Sequence, residues 1–408
     1  MTTRAAVFHS GSAILLSIAA AKFLFHLCTA GRYGIFRDEL YYLACSEHLD
    51  WGYIDQPPLI AFITWLARHL FGESLIGLRL LPALAGGATV WLAGILAKEM
   101  SGGRFAQALA ALATFAVPVF LIMHHWLTMN AFEALIWMGC VWCVLRAINR
   151  EQPRYWISFG VLAAFGLENK YTTAFFIFAV AVGLLVRQER KFLDSRQLWT
   201  GAAIAFLIFL PNFIWLVRHN FTFLDLIHNI RRTNRDVVRG PFRFTAGQAM
   251  LMNPILFPLW LGGLFWLLFG AGGSRFRILG ITYVVLLATF IALKRKNYYL
   301  APIYPMLFAA GAVGFERLTI FFGLRYGLPK AISNHQNYWL WGPHNYDGST
   351  VIVLGGDGTG DRERFRSVEV AGQAEHPYSR RDEHFDIFLC REFTGDLWKA
   401  WPTMKKWN

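Results

Sequence analysis

Long apolar segments alternate with short polar stretches along the first three quarters of the chain. Several of these segments, such as 78–97 and 198–217, are about 20 residues long and carry almost no charge. A helix needs about 20 apolar residues to cross a bilayer, so we predict an all-α membrane bundle of about ten or more spans. The run 59–71 is interrupted by Arg68 and His69 and therefore predicts a helix that lies along the membrane surface.

The polar segments between these runs suggest how the chain crosses the membrane. Arg4 precedes the first apolar run, 13–27, and basic residues fill 187–196. Lys and Arg are enriched in cytoplasmic loops, so both stretches are predicted to lie inside. The first run could pass for a signal peptide, but further spans follow it, and we interpret it as an uncleaved helix. The loops 31–58 and 218–248 are then outside, and we predict a multi-pass protein of the inner (plasma) membrane.

The composition supports a membrane protein and gives no sign of nucleic-acid binding, a disulfide framework or a zinc site. Apolar residues make up 55% of the chain and aromatic residues 16%, more than a soluble domain usually carries. The net charge of +13 indicates cytoplasmic loops and contacts with anionic membrane lipids, and no motif suggests nucleic acid. The five cysteines show no spacing typical of a disulfide framework or a zinc site.

Five polar clusters fall on the predicted outer side. They are Asp38 and Glu39 with Asp55; residues 124–133, including His125, Asn130 and Glu133; residues 168–171, including Lys170; the arginine-rich loop 218–248; and residues 294–299, including Arg295, Lys296, Tyr298 and Tyr299. Carboxylates dominate the early clusters and cations the later ones. This order suits a reaction in which a bound phosphate leaves and a hydroxyl or amine attacks, because cations stabilise the phosphate and a carboxylate activates the nucleophile. A solvated acidic loop is the alternative for Asp38 and Glu39.

Several motifs follow one another along the chain in an order that resembles a known family. They are Arg37-Asp38-Glu39-Leu40-Tyr41-Tyr42 with Asp55-Gln56-Pro57-Pro58-Leu59, then Met129-Asn130-Ala131-Phe132-Glu133, Asn169-Lys170-Tyr171-Thr172 and Lys296-Asn297-Tyr298-Tyr299-Leu300-Ala301-Pro302-Ile303-Tyr304-Pro305. This order resembles the bacterial members of glycosyltransferase family 39, relatives of the protein O-mannosyltransferases and the lipid A aminoarabinose transferases. The likeness covers residues 10–317. We therefore expect a transmembrane glycosyltransferase-like domain at 1–317 and a shortened soluble segment, α/β or β-rich, at 318–408.

The resemblance implies a C-class glycosyltransferase helix bundle with its active site on the periplasmic side. Such an enzyme transfers a sugar from a polyprenyl-phosphate donor to a lipid, glycan or protein acceptor, with inversion at the anomeric carbon. The resemblance makes Asp38 the catalytic first-loop acid, with Glu39 either assisting it or facing away. The residues expected near the donor phosphate are Lys170, Arg295, Lys296, Tyr298 and Tyr299. For the two lysines, interfacial snorkelling is the alternative.

The remaining candidates are expected to contact the acceptor or to support the catalytic residues. They are Asp55, His125, Asn130 and Glu133. Asp55 could instead cap the helix that follows the two prolines. Many relatives carry aspartate where this chain has Asn130, which supplies no charge, so a divalent metal (Mg²⁺ or Mn²⁺ on Asp38) is left open and no cofactor is certain.

Two other functions remain open on the sequence. A catalytically inactive relative that only binds polyprenyl-phosphate lipid would share these motifs. A lipid or solute transporter would also be polytopic, but it should show internal repeats and charged residues near the membrane midplane, and no clear repeat is found. Residues 317–322 are too few to cross about 30 Å of hydrocarbon before the soluble segment. A span count that is off by one and a re-entrant hairpin at 318–324 are alternatives, and an internal deletion in this chain is favoured.

Overall fold

A computed structural model describes residues 2–32, 34–186, 188–232 and 240–321 of the chain. These residues form fifteen α-helices and four short 3-10 helices, without a β-strand. All of them belong to one compact unit, Met1–Ile332. The predicted soluble segment 318–408 lies outside the described residues except for its first four, so its expected structure stays a prediction.

The α-helices are numbered in chain order. They are α1 (Thr2–Thr29), α2 (Arg37–Glu47), α3 (Leu59–Phe71), α4 (Leu75–Glu99), α5 (Arg104–Ala116), α6 (Pro118–Met123), α7 (Met129–Arg150), α8 (Tyr155–Asn169), α9 (Thr172–Val186), α10 (Arg196–Arg218), α11 (Thr222–Arg232), α12 (Pro241–Leu251), α13 (Phe257–Phe269), α14 (Arg277–Ala292) and α15 (Tyr304–Phe321). The 3-10 helices are Gln188–Asp194, Pro254–Leu256, Ala271–Phe276 and Asn297–Ile303. The structure is thus mostly helical, as predicted.

One predicted span is broken by a proline. The sequence predicts a single helix over 105–123, but the structure has α5 and α6, with Val117 between them in an extended conformation (ψ 121°). Pro118 causes this break, because proline lacks an amide hydrogen and disfavours the helical conformation of the residue before it.

Fewer helices in the described part of the chain are long enough to be membrane spans than the sequence predicts. Within the described residues, six helices are long and apolar enough to cross a membrane, or seven if the bent pair Pro241–Leu251 and Pro254–Phe269 is one span. Helices α8 and α9 have 15 residues each, about 22 Å at 1.5 Å per residue, which is less than the roughly 30 Å hydrocarbon core. The chain is a multi-pass membrane protein, but ten spans are not confirmed.

The bundle packs around α15, whose residues 306–310 are fully buried. Small residues let neighbouring helices approach closely, as is common in membrane bundles. A Cβ atom on Gly160 of α8 would lie 2.1 Å from the carbonyl oxygen of Gly201 in α10. In contrast, little of α10 is buried, and its exposed apolar side chains, such as Trp199 and Leu207, are suited to face lipid.

Helix α3 begins directly after Pro57-Pro58 and has two different faces. Ile60, Thr64 and Ala67 are buried on one face, whereas the other exposes apolar side chains, including Leu70. Such a two-faced helix can lie along a membrane surface, and this placement of α3 stays a prediction. Together, α2 and α3 carry the polar groups of the first outer loop.

Candidate active site

Asp38 lies in the first turn of α2, at the wall of an open pocket of about 370 Å³. The pocket is lined by Arg37, Asp38, Tyr41, Ile54, Asp55 and Leu226. Asp38 Oδ1 accepts a hydrogen bond from Arg37 Nε at 3.1 Å, and the Asp38 side chain is 36% exposed. The Asp38 carboxylate is therefore accessible to a ligand in this pocket.

Asp55 faces the same pocket and is held by a tyrosine. The hydroxyl of Tyr41 donates a hydrogen bond to Asp55 Oδ1 at 2.6 Å. Burial raises the pKa of Tyr41, and the hydrogen bond with Asp55 and its charge raise it further, so this hydroxyl keeps its proton at neutral pH. Asp55 does not cap α3, because that helix has Pro58 at its N-cap and no side-chain cap bond.

Glu39 lies on the other side of α2, in the protein interior. Its carboxylate pairs with Arg79 of α4, accepting from Nε at 2.9 Å and from Nη2 at 2.7 Å. It also accepts the backbone N–H groups of Phe36 at 2.8 Å and Leu127 at 3.0 Å. Because four donors surround this fully buried carboxylate, the geometry favours a structural role, which agrees with the alternative that Glu39 faces away from Asp38.

Arg79 extends this buried connection to α1. Its guanidinium donates to the carbonyl oxygens of Ala30 at 2.5 Å and Gly34 at 2.8 Å. The Glu39–Arg79 pair thus joins the end of α1, the start of α2, α4 and the turn before α7. This connection fixes the position of Asp38 relative to the polar residues of 124–133.

Lys170 lies at the end of α8 and is engaged by acidic and amide groups of α7. Its ammonium donates to Glu133 Oε2 at 2.7 Å and to Asn130 Oδ1 at 2.8 Å. The hydroxyl of Thr172 donates to the other oxygen of Glu133. The charge of Lys170 is therefore already compensated, so it would have to exchange these bonds to bind a donor phosphate as predicted.

Three tyrosines connect the Asp38 pocket to the Lys170 cluster. Lys170 Nζ lies 4.5 Å from the ring centroid of Tyr299 and 5.7 Å from that of Tyr298. Burial raises the pKa of Tyr42, and the charge of Asp38 raises it further, with Tyr299 also nearby. We call Tyr42, Tyr298 and Tyr299 the tyrosine wall; these residues come from the first and the last of the sequence motifs.

Two further cations precede the 3-10 helix that contributes to this wall. Lys296 is its N-cap residue and is exposed, and Arg295 is half-buried. Arg295 Nε is buried without a hydrogen-bond partner among the described residues. A buried donor of this kind is costly unless a ligand or water satisfies it. Arg295 and Lys296 are therefore better suited than Lys170 to bind an anionic group.

His125 lies in the turn between α6 and α7, behind the pocket. It is not among the residues that line the Asp38 pocket, and its ring lies 6.2 Å from that of His26. Burial, followed by the charge of Arg79, lowers the pKa of His125, so the ring is neutral at pH 7. Its contact with an acceptor stays a prediction.

Two residues of α10 hold the first outer loop in place, and neither was predicted as a site residue. Asn212 Nδ2 donates to the carbonyl oxygen of Trp51 at 2.6 Å, and Trp215 Nε1 donates to Asp50 Oδ2 at 2.8 Å. Asn212 and Arg79 are polar residues inside predicted spans. Polar residues inside membrane spans are rare and usually have a functional or structural contact, so this feature of the sequence could have identified both residues.

The contact between this loop and α10 predicts a strong effect of substituting Gly52. A Cβ atom there would lie 2.5 Å from Cε3 of Trp215, whereas nothing lies within 4 Å of a Cβ atom on Gly34 in the same outer region. We expect Gly52→Ala to lower the free energy of unfolding by about 1–3 kcal/mol and Gly34→Ala to leave it nearly unchanged. Thermal unfolding in detergent measures both, and equal stabilities would contradict the observed packing.

The two carboxylates of the pocket also bear on metal binding. No group of three or more His, Cys, Asp or Glu side chains that could hold a metal ion occurs in the described part of the chain. Mg²⁺, however, is often held by one or two carboxylates together with substrate phosphates. The hydrogen bonds above use only Oδ1 of Asp38 and Asp55, so Oδ2 of each is left as a candidate metal ligand, and metal binding stays a prediction.

Comparison with known proteins finds similar membrane glycosyltransferases. The family model for dolichyl-phosphate-mannose-protein mannosyltransferase matches residues 55–215. The lipid A galacturonosyltransferase RgtD of Rhizobium johnstonii is 26% identical over 269 residues, which are 64% of this chain and 56% of that protein. The chain therefore spans just over half the length of this relative.

Solved structures share the fold. ArnT from Cupriavidus metallidurans bound to undecaprenyl phosphate matches with a TM-score of 0.62 at 19% identity, over 79% of this chain and 63% of ArnT. The archaeal oligosaccharyltransferase AglB from Archaeoglobus fulgidus, in complex with an inhibitory peptide and a dolichol-phosphate, matches with a TM-score of 0.55 at 15% identity, over 79% of this chain and 51% of AglB. These structural similarities show that the described part of the chain has the same fold as ArnT and AglB, and the family and sequence matches make it similar to membrane glycosyltransferases.

Proposed function

We propose that this protein is an inverting membrane glycosyltransferase that takes a sugar from a polyprenyl-phosphate donor at the outer face of the inner membrane. The observation that carries the proposal is the accessible Asp38 carboxylate at an open pocket. It is supported by the contact of Lys170 with Tyr298 and Tyr299 of the Lys296 motif. A carboxylate and free cations at one site suit the departure of a phosphate and the attack of a hydroxyl or amine. The named contents of the ArnT and AglB structures, undecaprenyl phosphate and dolichol-phosphate, support a lipid-linked donor.

In this reaction Asp38 is the general base. It accepts the proton of the acceptor nucleophile as the nucleophile bonds to the anomeric carbon, and the bond from that carbon to the phosphate oxygen breaks. A single displacement of this kind inverts the anomeric carbon. The electron pair leaves with the polyprenyl phosphate, whose charge Arg295 and Lys296 stabilise. Asp55 orients Tyr41 at the pocket wall, and Glu133 holds Lys170 beside the tyrosine wall.

A divalent ion is compatible with this proposal but is not needed for any of these steps. Asp38 and Asp55 would hold it, and it would stabilise negative charge on the donor phosphate.

The experiment that tests the function is a transfer assay with purified protein. Undecaprenyl-phosphate-linked sugars serve as donors, and lipopolysaccharide or its lipid-free core oligosaccharide serves as acceptor. Labelled product supports the proposal. If the unaltered chain binds undecaprenyl phosphate but transfers no sugar from a broad donor panel, it is instead an inactive lipid-binding relative.

The role of Lys296 gives a separate prediction. Removing one charged hydrogen-bond donor to a phosphate is worth about 1.5–3 kcal/mol, so we expect Lys296→Met to raise the KM for the donor about tenfold or more. Lys191→Met is the matched control, because Lys191 lies in an exposed ion pair with Glu151 at 3.3 Å and should not affect donor binding. Equal KM values for the two variants would remove Lys296 from the donor site.

A further inference from the structure

A second pocket, of about 400 Å³, lies at the end of α2 opposite to Asp38. It is lined by Ser46, Glu47, Trp65, Arg68, His69 and Glu73. Its volume is within the usual range for small-ligand sites. The reaction proposed above gives these residues no role, and we call their pocket the outer pocket.

Arg68 holds the polar groups of the outer pocket in position. Its Nη1 donates to Ser46 Oγ at 3.0 Å, and its Nε donates to Glu73 Oε1 at 3.0 Å. Its Nη2 lies 3.5 Å from Glu47 Oε1. The guanidinium is mostly covered, at 21% exposure, whereas the side chains of Glu47 and Glu73 are 59% and 68% exposed. The ion pairs therefore use one oxygen of each carboxylate and leave Oε2 for a ligand.

His69 adds a further acceptor with a defined tautomer. Its Nδ1 lies 2.8 Å from the carbonyl oxygen of Trp65. A carbonyl oxygen can only accept, so Nδ1 carries the hydrogen and Nε2 of the neutral ring is an acceptor. The His69 ring also lies 4.3 Å from the Trp65 ring, and the two rings form an aromatic side of the pocket.

The chemistry of the outer pocket selects a ligand that donates hydrogen bonds. Two carboxylate oxygens and one imidazole nitrogen are acceptors, and Glu47, Glu73 and Arg68 together carry one negative charge. A phosphate would be repelled, since it brings negative charge and further acceptors. A saccharide fits, because its hydroxyl groups donate to carboxylates while its C–H faces can pack against aromatic rings.

The exposed face of α2 connects the outer pocket to Asp38. Arg37, Tyr41, Ala44 and Glu47 are all exposed and follow one another at helical spacing, so they form one stripe along the helix. Arg37 and Tyr41 line the Asp38 pocket, and Glu47 lines the outer pocket. The stripe is about 15 Å long at 1.5 Å per residue, which a short oligosaccharide can span.

We propose that the outer pocket is a subsite for the saccharide part of the acceptor, which lies along α2 with its nucleophile beside Asp38. This assignment rests on the proposed function and specifies a glycan-bearing acceptor. It requires that binding of the glycan depend on Glu47 and Glu73 even when Asp38 cannot catalyse transfer.

The test measures binding separately from transfer. Calorimetric titration of the purified full-length chain with lipid-free lipopolysaccharide core oligosaccharide is expected to show binding that the double substitution Glu47→Gln and Glu73→Gln weakens at least tenfold. Glutamine keeps an oxygen for Arg68 but removes both negative charges, and thermal unfolding verifies that the variant is folded. Glu151→Gln, in the exposed Lys191 pair, is the matched control and should bind as the unaltered chain does.

The possible results distinguish a failure of the proposed saccharide subsite from a failure of the proposed glycosyltransferase function. Binding that survives the double substitution, no binding to the unaltered chain, or glutamate-dependent binding of spermidine in place of the oligosaccharide would overturn the subsite. Glutamate-dependent oligosaccharide binding by a chain that transfers no sugar would support the saccharide site and overturn the proposed function alone. If transfer occurs, the double substitution is expected to raise the KM for a long glycan acceptor while leaving a short acceptor unaffected.

Discussion

Replacing Asp38 with Asn is expected to reduce sugar transfer by about 10²- to 10⁴-fold, the usual contribution of a positioned general base. Asparagine keeps the size of the side chain and a hydrogen-bond acceptor for Arg37 Nε, so the fold and donor binding should be retained. The measurement is the initial rate of transfer from an undecaprenyl-phosphate-linked sugar, with thermal unfolding recorded for the same sample.

Asp225→Asn is the matched control for this substitution. Asp225 is exposed on α11, next to Leu226, which lines the Asp38 pocket. Its substitution should change the rate by less than about twofold, because it removes an exposed charge without a role in proton transfer. Undiminished transfer by Asp38→Asn would rule out Asp38 as the base.

Glu39→Ala is expected to act on stability instead, lowering the free energy of unfolding by about 3–5 kcal/mol. The reason is that Arg79, which is 1% exposed, would remain as an uncompensated buried charge. Unfolding by heat or denaturant in detergent measures this effect. Replacing both partners, as in Glu39→Met with Arg79→Met, should recover part of the loss, because it removes the unpaired charge.

Glu151→Ala provides the matched control for the buried pair. Glu151 pairs with Lys191 at 3.3 Å, but the two side chains are 73% and 60% exposed, so the cost should be about 1 kcal/mol or less. If Glu39→Ala keeps full stability and loses transfer, Glu39 is catalytic and the structural assignment fails.

The comparison of Asp38 with Glu39 shows what the sequence can and cannot predict. The sequence identified the acidic pair and its motif, but successive residues on a helix point about 100° apart, so adjacent carboxylates can have different environments. Only the structure shows that Arg79 lies against Glu39 and that Asp38 opens to a pocket. The partner is 40 positions away along the chain and has no local signal beyond being a charge within a span.

Lys170 illustrates the same limit for cations. Its motif and its position at the outer end of a predicted span were evident from the sequence. Its pairing with Glu133 depends on how α7 and α8 pack. Because Lys170 is paired, Arg295 and Lys296 are the better candidates for binding the donor phosphate. The helical class and the positions of long apolar helices such as α4 and α10 followed from the lengths of the apolar segments, whereas the count of ten spans is not confirmed, because several apolar helices are too short to cross a bilayer unaided.

The central claim is that the carboxylate of α2 and the cations before the last 3-10 helix act on one donor. An experimental structure with undecaprenyl phosphate bound tests it most directly. The account predicts that the phosphate lies within hydrogen-bonding distance of Arg295 or Lys296, at the tyrosine wall, and that its sugar-bearing oxygen faces Asp38. A phosphate bound where no attached sugar could reach the Asp38 pocket would contradict it.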